Sequence, residues 1–179
     1  GLLMRQGKND AALLILNSPE DPKATIKLTL LHYRRGQALL RKMDAGAREE
    51  LLTFVQLSGN GNCVKAAWQK LAWQSLLEND LQGYRENMSQ CQRSGRALID
   101  EDKDALREAE AGVLPNRYLL RSRLYFDGGY YLKAMQCITG ISADSFPSVN
   151  EKLELTYRFA RILDAMGRKE RAVVYYKLT

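Results

Sequence analysis

A frame of five positions recurs along this chain and limits its fold more than any other feature. Between residues 119 and 138, the small residue Ser122 is followed three later by Tyr125, then by Gly129 after four, Ala134 after five and Ile138 after four. Ala160, Leu163, Gly167, Ala172 and Tyr176 repeat those offsets 38 residues further on. A third copy runs through Trp68, Leu71, Ala72, Ser75, Asn79, Tyr84 and Met88. Gly7, Ala12 and Leu16 supply the second half of another. Tyr33, Gly36 and Leu39 supply the first half of a fifth, whose turn Met43-Asp44-Ala45-Gly46 shifts the register of its second helix.

Glycine, or asparagine at residue 79, closes a tight turn at a backbone angle that other residues resist. Small residues at the crossing let two antiparallel helices approach, and the large apolar positions bury against the same pair and the next. Small, aromatic, glycine, alanine, large apolar: this order resembles the tetratricopeptide repeat, a helix pair of about 34 residues. The resemblance implies an all-α, right-handed superhelical solenoid of about four to five antiparallel helix pairs. The expected pairs are approximately 1–17 (partial), 23–58, 63–98, 115–142 and 149–179, in a single array spanning 1–179. Because neither end supplies a polar cap, the array is expected to be truncated at both ends.

Within that frame Asp21-Pro22 reads as a helix start, with Ile26, Leu30, Tyr33 and Leu40 on a mainly apolar face of the helix it opens. Ser148-Val149-Asn150-Glu151 reads as a capping box. Residues 99–114 do not fit the repeat. They lengthen its spacing to about 50 residues, against 36–38 elsewhere, and read as a short, mostly exposed acidic helix inserted into the array.

Charge is distributed in blocks. The net +6 divides into +5 over 1–48, zero over 49–98, −4 over 99–114 and +5 over 115–179. A basic array split by an acidic insert points to acidic protein partners, or to a contact within the chain, more than to a nucleic-acid stripe.

Candidate chemistry is sparse. Asp100, Asp102 and Asp104 imitate a calcium loop, but Ala105 and Ala111 stand where that loop needs Gly and Glu. This leaves solvated acids favouring a helix dipole. His32 is the only histidine and forms no triad, dyad or metal cluster; a place at the core edge or surface is expected. Cys63, Cys91 and Cys137 contain no Cys-x-x-Cys and read as free thiols on helices. They tilt the compartment toward the cytoplasm and leave the periplasm open. No apolar run approaches the roughly 18–20 residues of a membrane span. Phosphate loops, nucleophile elbows and paired carboxylates are absent from the sequence, so no enzyme activity, cofactor, metal or small-molecule substrate is expected.

What the resemblance implies is protein binding. In the family, a peptide or helix lies in a groove lined by the first helix of each pair. Carried over residue by residue, the inner positions are Arg123 with Asn116, Leu119 and Phe126, and Arg161 with Glu154, Tyr157 and Asp164. Trp73 joins them one residue after Ala72, and Tyr33 and Gln37 are weaker counterparts. The candidate partner-binding set is therefore Trp73, Asn116, Leu119, Arg123, Phe126, Tyr157, Arg161 and Asp164. Arginine forks suit carboxylates, so an acidic partner is expected. The Lys and Asn pattern of a chaperone-binding carboxylate clamp is missing. The alternatives are a structural module that self-associates through uncapped ends and, behind it, a nucleic-acid-binding helical repeat.

Overall fold

The computed structural model describes residues 2–18 and 28–179, and all regular structure among them is helical. The expected helix start at Asp21-Pro22, and Ile26 after it, lie outside the described residues. The helices are α1 (Leu2–Arg5), α2 (Asn9–Leu16), α3 (Leu28–Lys42), α4 (Ala47–Ser58), α5 (Val64–Leu77) and α6 (Leu81–Arg93). They continue with α7 (Asp100–Ala111), α8 (Arg117–Asp127), α9 (Tyr131–Gln136), α10 (Val149–Ala165) and α11 (Lys169–Tyr176). None of the described helices is long and apolar enough to cross a membrane.

One turn recurs between these helices. Gly7, Met43, Asn79, Gly129 and Gly167 all hold positive φ, between +61° and +82°. Each is followed by an amide that reaches back along the chain: Lys8 to the carbonyl of Leu3, Asp44 to Leu39, Asp80 to Ser75, Tyr130 to Tyr125 and Arg168 to Leu163, all at 2.8–3.0 Å. This is the Schellman closure, which satisfies the last carbonyls of one helix while the left-handed residue turns the chain into the next. Seven residues before four of these positions stand Gly36, Ala72, Ser122 and Ala160, all buried. At Gly36 the spacing is tightest, since a Cβ there would lie 2.6 Å from Leu51 Cγ of α4. Ser122 uses its hydroxyl instead, donating to the carbonyl of Ala134 in α9 at 2.9 Å.

The chain gathers into two compact units: Gly1–Lys8 with Pro115–Thr179 form unit 1, and Asn9–Leu114 form unit 2. In unit 1 a core of Leu119, Ala134, Ile138, Phe146 and Ile162 is ringed by Tyr118, Tyr125, Phe126, Tyr131 and Phe159. The N-terminal residues join it through a backbone contact, with Gly7 lying directly against Gly129. Ser148 and Glu151 form the expected capping box at the start of α10.

In unit 2, Tyr33, Leu51, Phe54, Leu71, Leu76 and Cys91 form the centre, each almost wholly buried. His32 lies half-buried at its edge, 2.6 Å from Glu50. Cys63 and Cys91 are buried free thiols, each pushed up to about 11 by burial. Cys63 precedes α5 instead of lying on a helix.

The acidic segment departs from its expected exposure. As α7 it packs on α5 and α6 and buries Asp102, Ala105 and Ala109. The physical reason is specific. Cys63 precedes the first turn of α5 without a side-chain cap, and Asp102 supplies one from 39 residues away. Its carboxylate accepts from Cys63 N at 2.7 Å and Ala66 N at 3.0 Å. Two otherwise orphaned amides are thereby satisfied and a negative charge is placed at the helix N-terminus.

Candidate functional site

Two equivalent pairs of positions in unit 2 each hold one carboxylate. Counting from the small crossing residue, the positions three before and one after fall one turn apart on the same helix face. On α3 these are Tyr33 and Gln37, and both bond Glu101. The Tyr33 hydroxyl donates to Glu101 Oε1, and Gln37 Nε2 donates to the same atom at 3.1 Å. On α5 they are Gln69 and Trp73, and both bond Glu108. Gln69 Nε2 donates to Oε2 at 2.7 Å and Trp73 Nε1 to Oε1 at 2.6 Å.

Between the two pairs lies Lys70. Its ammonium is 3.3 Å from Glu101 Oε1, 5.2 Å from the centre of the Tyr33 ring and 5.7 Å from that of Trp73. Burial lowers the pKa of Lys70 by more than the Glu101 charge restores. For Glu101 the balance is reversed. Burial pushes its carboxyl up, but Lys70, the Tyr33 hydroxyl and Arg34 together outweigh burial and leave it below the ordinary range.

A depressed carboxyl has a definite linkage sign. Glu101 contributes stability that is complete above its unfolded value, about 4.3, and is lost as pH falls through the lower folded value. Thermal melts from pH 7 down to 3 should therefore show unit 2 losing stability below about pH 4.3, with a shallower slope in Glu101→Gln. Identical slopes in the two proteins would remove Glu101 from the account.

The sequence-derived residues divide between the units. Trp73 is half-buried in unit 2 and bonded to Glu108. In unit 1, Asn116 caps α8 through the amides of Tyr118 and Leu119 and donates to Ser145 O and to Glu151. Leu119 is a core residue, 2% exposed, with Phe146 and Ile162 beside it. Arg123 lies half-buried on α8.

Phe126, Tyr157 and Arg161 do come together, across α8 and α10. The Arg161 guanidinium lies 4.5 Å from the Phe126 ring centre and 5.8 Å from that of Tyr157. Tyr157 is 43% exposed and packs edge-on to Tyr176, with ring centres 6.3 Å apart. Burial and then the charge of nearby Asp164 raise the Tyr176 hydroxyl. Tyr157 and Arg161 occupy on α10 the two positions that Tyr33 and Gln37 occupy on α3. The −3 and +1 rule therefore links this pair, an exposed tyrosine and a half-buried arginine, to the two pairs already filled by carboxylates.

Sequence reasoning missed Gln69, Lys70, Glu101 and Glu108, and took Asp102, which is fully buried, for a solvated acid. Offset from the crossing residue would have found Gln69, as it found Trp73. The carboxylates carry no local signal, because their partners lie 31 to 68 residues away in sequence.

No family model, curated protein or solved structure matches the chain. Its site is therefore read from its own geometry.

Proposed function

We propose that this chain is an array of tetratricopeptide-like helix pairs that binds protein and catalyses nothing. Its ligand is an acidic peptide or helix lying along the first helices of the pairs. The observation that supports this most is the repeated carboxylate contact. One i, i+4 pair of first-helix positions takes Glu101 on α3, and the same pair takes Glu108 on α5. On α10 that pair is Tyr157 and Arg161, with Phe126 under the guanidinium. A phenol and an arginine fork on an aromatic bed suit a carboxylate better than the Tyr–Gln pair does. The surrounding block, residues 115–179, carries a net +5, which favours the approach of an acidic segment.

The test is capture of a partner from the native source by the chain and by Arg161→Glu, with circular dichroism to establish that both are folded. Charge reversal should weaken retention at least about tenfold, or roughly 1.4 kcal/mol. Retention by the unaltered chain should fall as salt is raised. A partner held equally by the folded variant would show that α10 is not the binding face.

A second reading is self-association. Leu14 and Ile15 on α2, and Val173 and Val174 on α11, are exposed apolar residues. A mass that rises with concentration in light scattering would support it.

A further inference from the structure

Within unit 2, α7 packs on α5 and α6 and reaches with Glu101 to α3 and with Glu108 to α5, in the manner of a bound acidic helix. Glu101 and Glu108 are seven residues apart, about 10.5 Å along a helix. That distance is close to the roughly 8–10 Å between the axes of packed helices, so two carboxylates two turns apart on one helix match adjacent first helices beneath it. The fit is made by polar groups. Of the residues α7 buries, Ala105 and Ala109 bring only methyl groups, Asp102 a carboxylate, and Leu106 is half-buried. Methyl groups anchor a helix weakly beside leucine or phenylalanine. Hydrogen bonds exchanged for equal hydrogen bonds change little in free energy.

Simple departure of α7 is a different matter, because it would take the carboxylate of Glu101 from the buried Lys70 ammonium and that of Asp102 from the start of α5. A replacement must therefore bring carboxylates of its own. α7 is joined to α6 and α8 by residues 94–99 and 112–116, which lie outside any helix, so it can leave without unwinding either neighbour.

We propose that α7 is an exchangeable internal occupant, and that the α3–α5 face is a docking surface for an acidic helical segment of another protein, with carboxylates two turns apart, that replaces it. This rests on the reading that first-helix faces receive carboxylates, but it concerns a different face from Tyr157 and Arg161. Tethering gives α7 an effective concentration in the millimolar range, so a free segment gains the face only when it binds more tightly or when the hold of α7 is loosened.

The probe is a labelled peptide of residues 99–112, titrated into the full chain carrying Arg161→Glu so that α10 does not contribute. It should bind at least tenfold more tightly when Glu101→Gln and Glu108→Gln are added, and at least threefold less tightly when Trp73→Phe is added to that protein. Should the doubly loosened protein not fold, Glu108→Gln alone takes its place.

Hydrogen exchange on the unaltered chain gives a readout independent of any variant, in which α7 amides should exchange at least tenfold faster than those of α5. The proposal is overturned if α7 exchanges only together with α5, or if the folded variant binds the peptide no better than its parent. A variant that dimerises without peptide would also overturn it, since that assigns the face to α7 of a second copy. Failure of the Arg161→Glu capture experiment would leave these outcomes readable, because none depends on α10.

Discussion

Gly129→Ala is expected to cost unit 1 on the order of 3 kcal/mol. Two causes act at one atom. Residue 129 holds φ +82°, where an L side chain is strained by about 1 kcal/mol, and its new Cβ would collide with the carbonyl oxygen of Gly7. Neither side has room to yield. Gly7 is itself left-handed at +69°, and its own Cβ position is 3.3 Å from Gly129 Cα and 3.4 Å from the Tyr131 hydroxyl. Gly167 is the built-in control. It closes the α10–α11 turn with the same reach-back bond and φ +76°, yet nothing lies within 4 Å of its Cβ position. Gly167→Ala should therefore lose only about 1 kcal/mol. Both tryptophans, Trp68 and Trp73, belong to unit 2, so hydrogen exchange of α8 and α9 is the appropriate measurement. Equal losses in the two variants would show that the contact with Gly7 carries no weight.

The second large effect is expected at Asp102. Its side chain is fully buried and accepts from two amides at the start of α5. Asp102→Ala leaves both donors without that acceptor, at about 1–3 kcal/mol each, for a total loss of about 2–6 kcal/mol. Asp102→Asn keeps one acceptor oxygen and loses the charge facing the helix dipole, so its loss should be about half as large. Trp68 and Trp73 lie on α5 and report directly through their fluorescence during denaturation. The capping account fails if alanine and asparagine are equally destabilising, or if both stay within about 0.5 kcal/mol of the parent.

These two sites show where the sequence was readable. The turn at Gly129 is local chemistry: a glycine at a set distance from a small residue and an alanine announces the reversal, and Asn79 does so by its tolerance of positive φ. The turn at Met43-Asp44-Ala45-Gly46 was readable, but not that Met43 would hold the positive φ of +61°, because methionine has no preference for it and Gly46 is the residue a turn would ordinarily use. The capping box at Ser148 and Glu151 was equally local.

Asp102 was unreadable for the opposite reason. Six acids in the sixteen residues 99–114 look solvated until Lys70, Tyr33 and the bare end of α5 are placed beside them, and only tertiary structure does that. Leu119 illustrates a third limit. Helical spacing put it on the same face as Arg123, but Phe146, arriving from beyond α9, closes over that part of α8 and turns the position into core. On α10, by contrast, Tyr157 stays 43% exposed, with Arg161 half-buried beside it against Phe126.

The contact between Gly7 and Gly129 also sets an order of events during synthesis. Unit 2 is continuous in the chain, whereas unit 1 is made from its first few residues and its last third. At roughly 5–20 residues per second, the ribosome needs on the order of ten seconds to make Asn9–Leu114 before α8 begins to emerge. Unit 2 can therefore be complete before the residues that meet Gly7 are made, and closing this separation of 122 residues becomes a late, non-local step. Throughout that interval Gly7 lacks its Gly129 contact, which makes the N-terminal piece of unit 1 the last part of that unit to be placed.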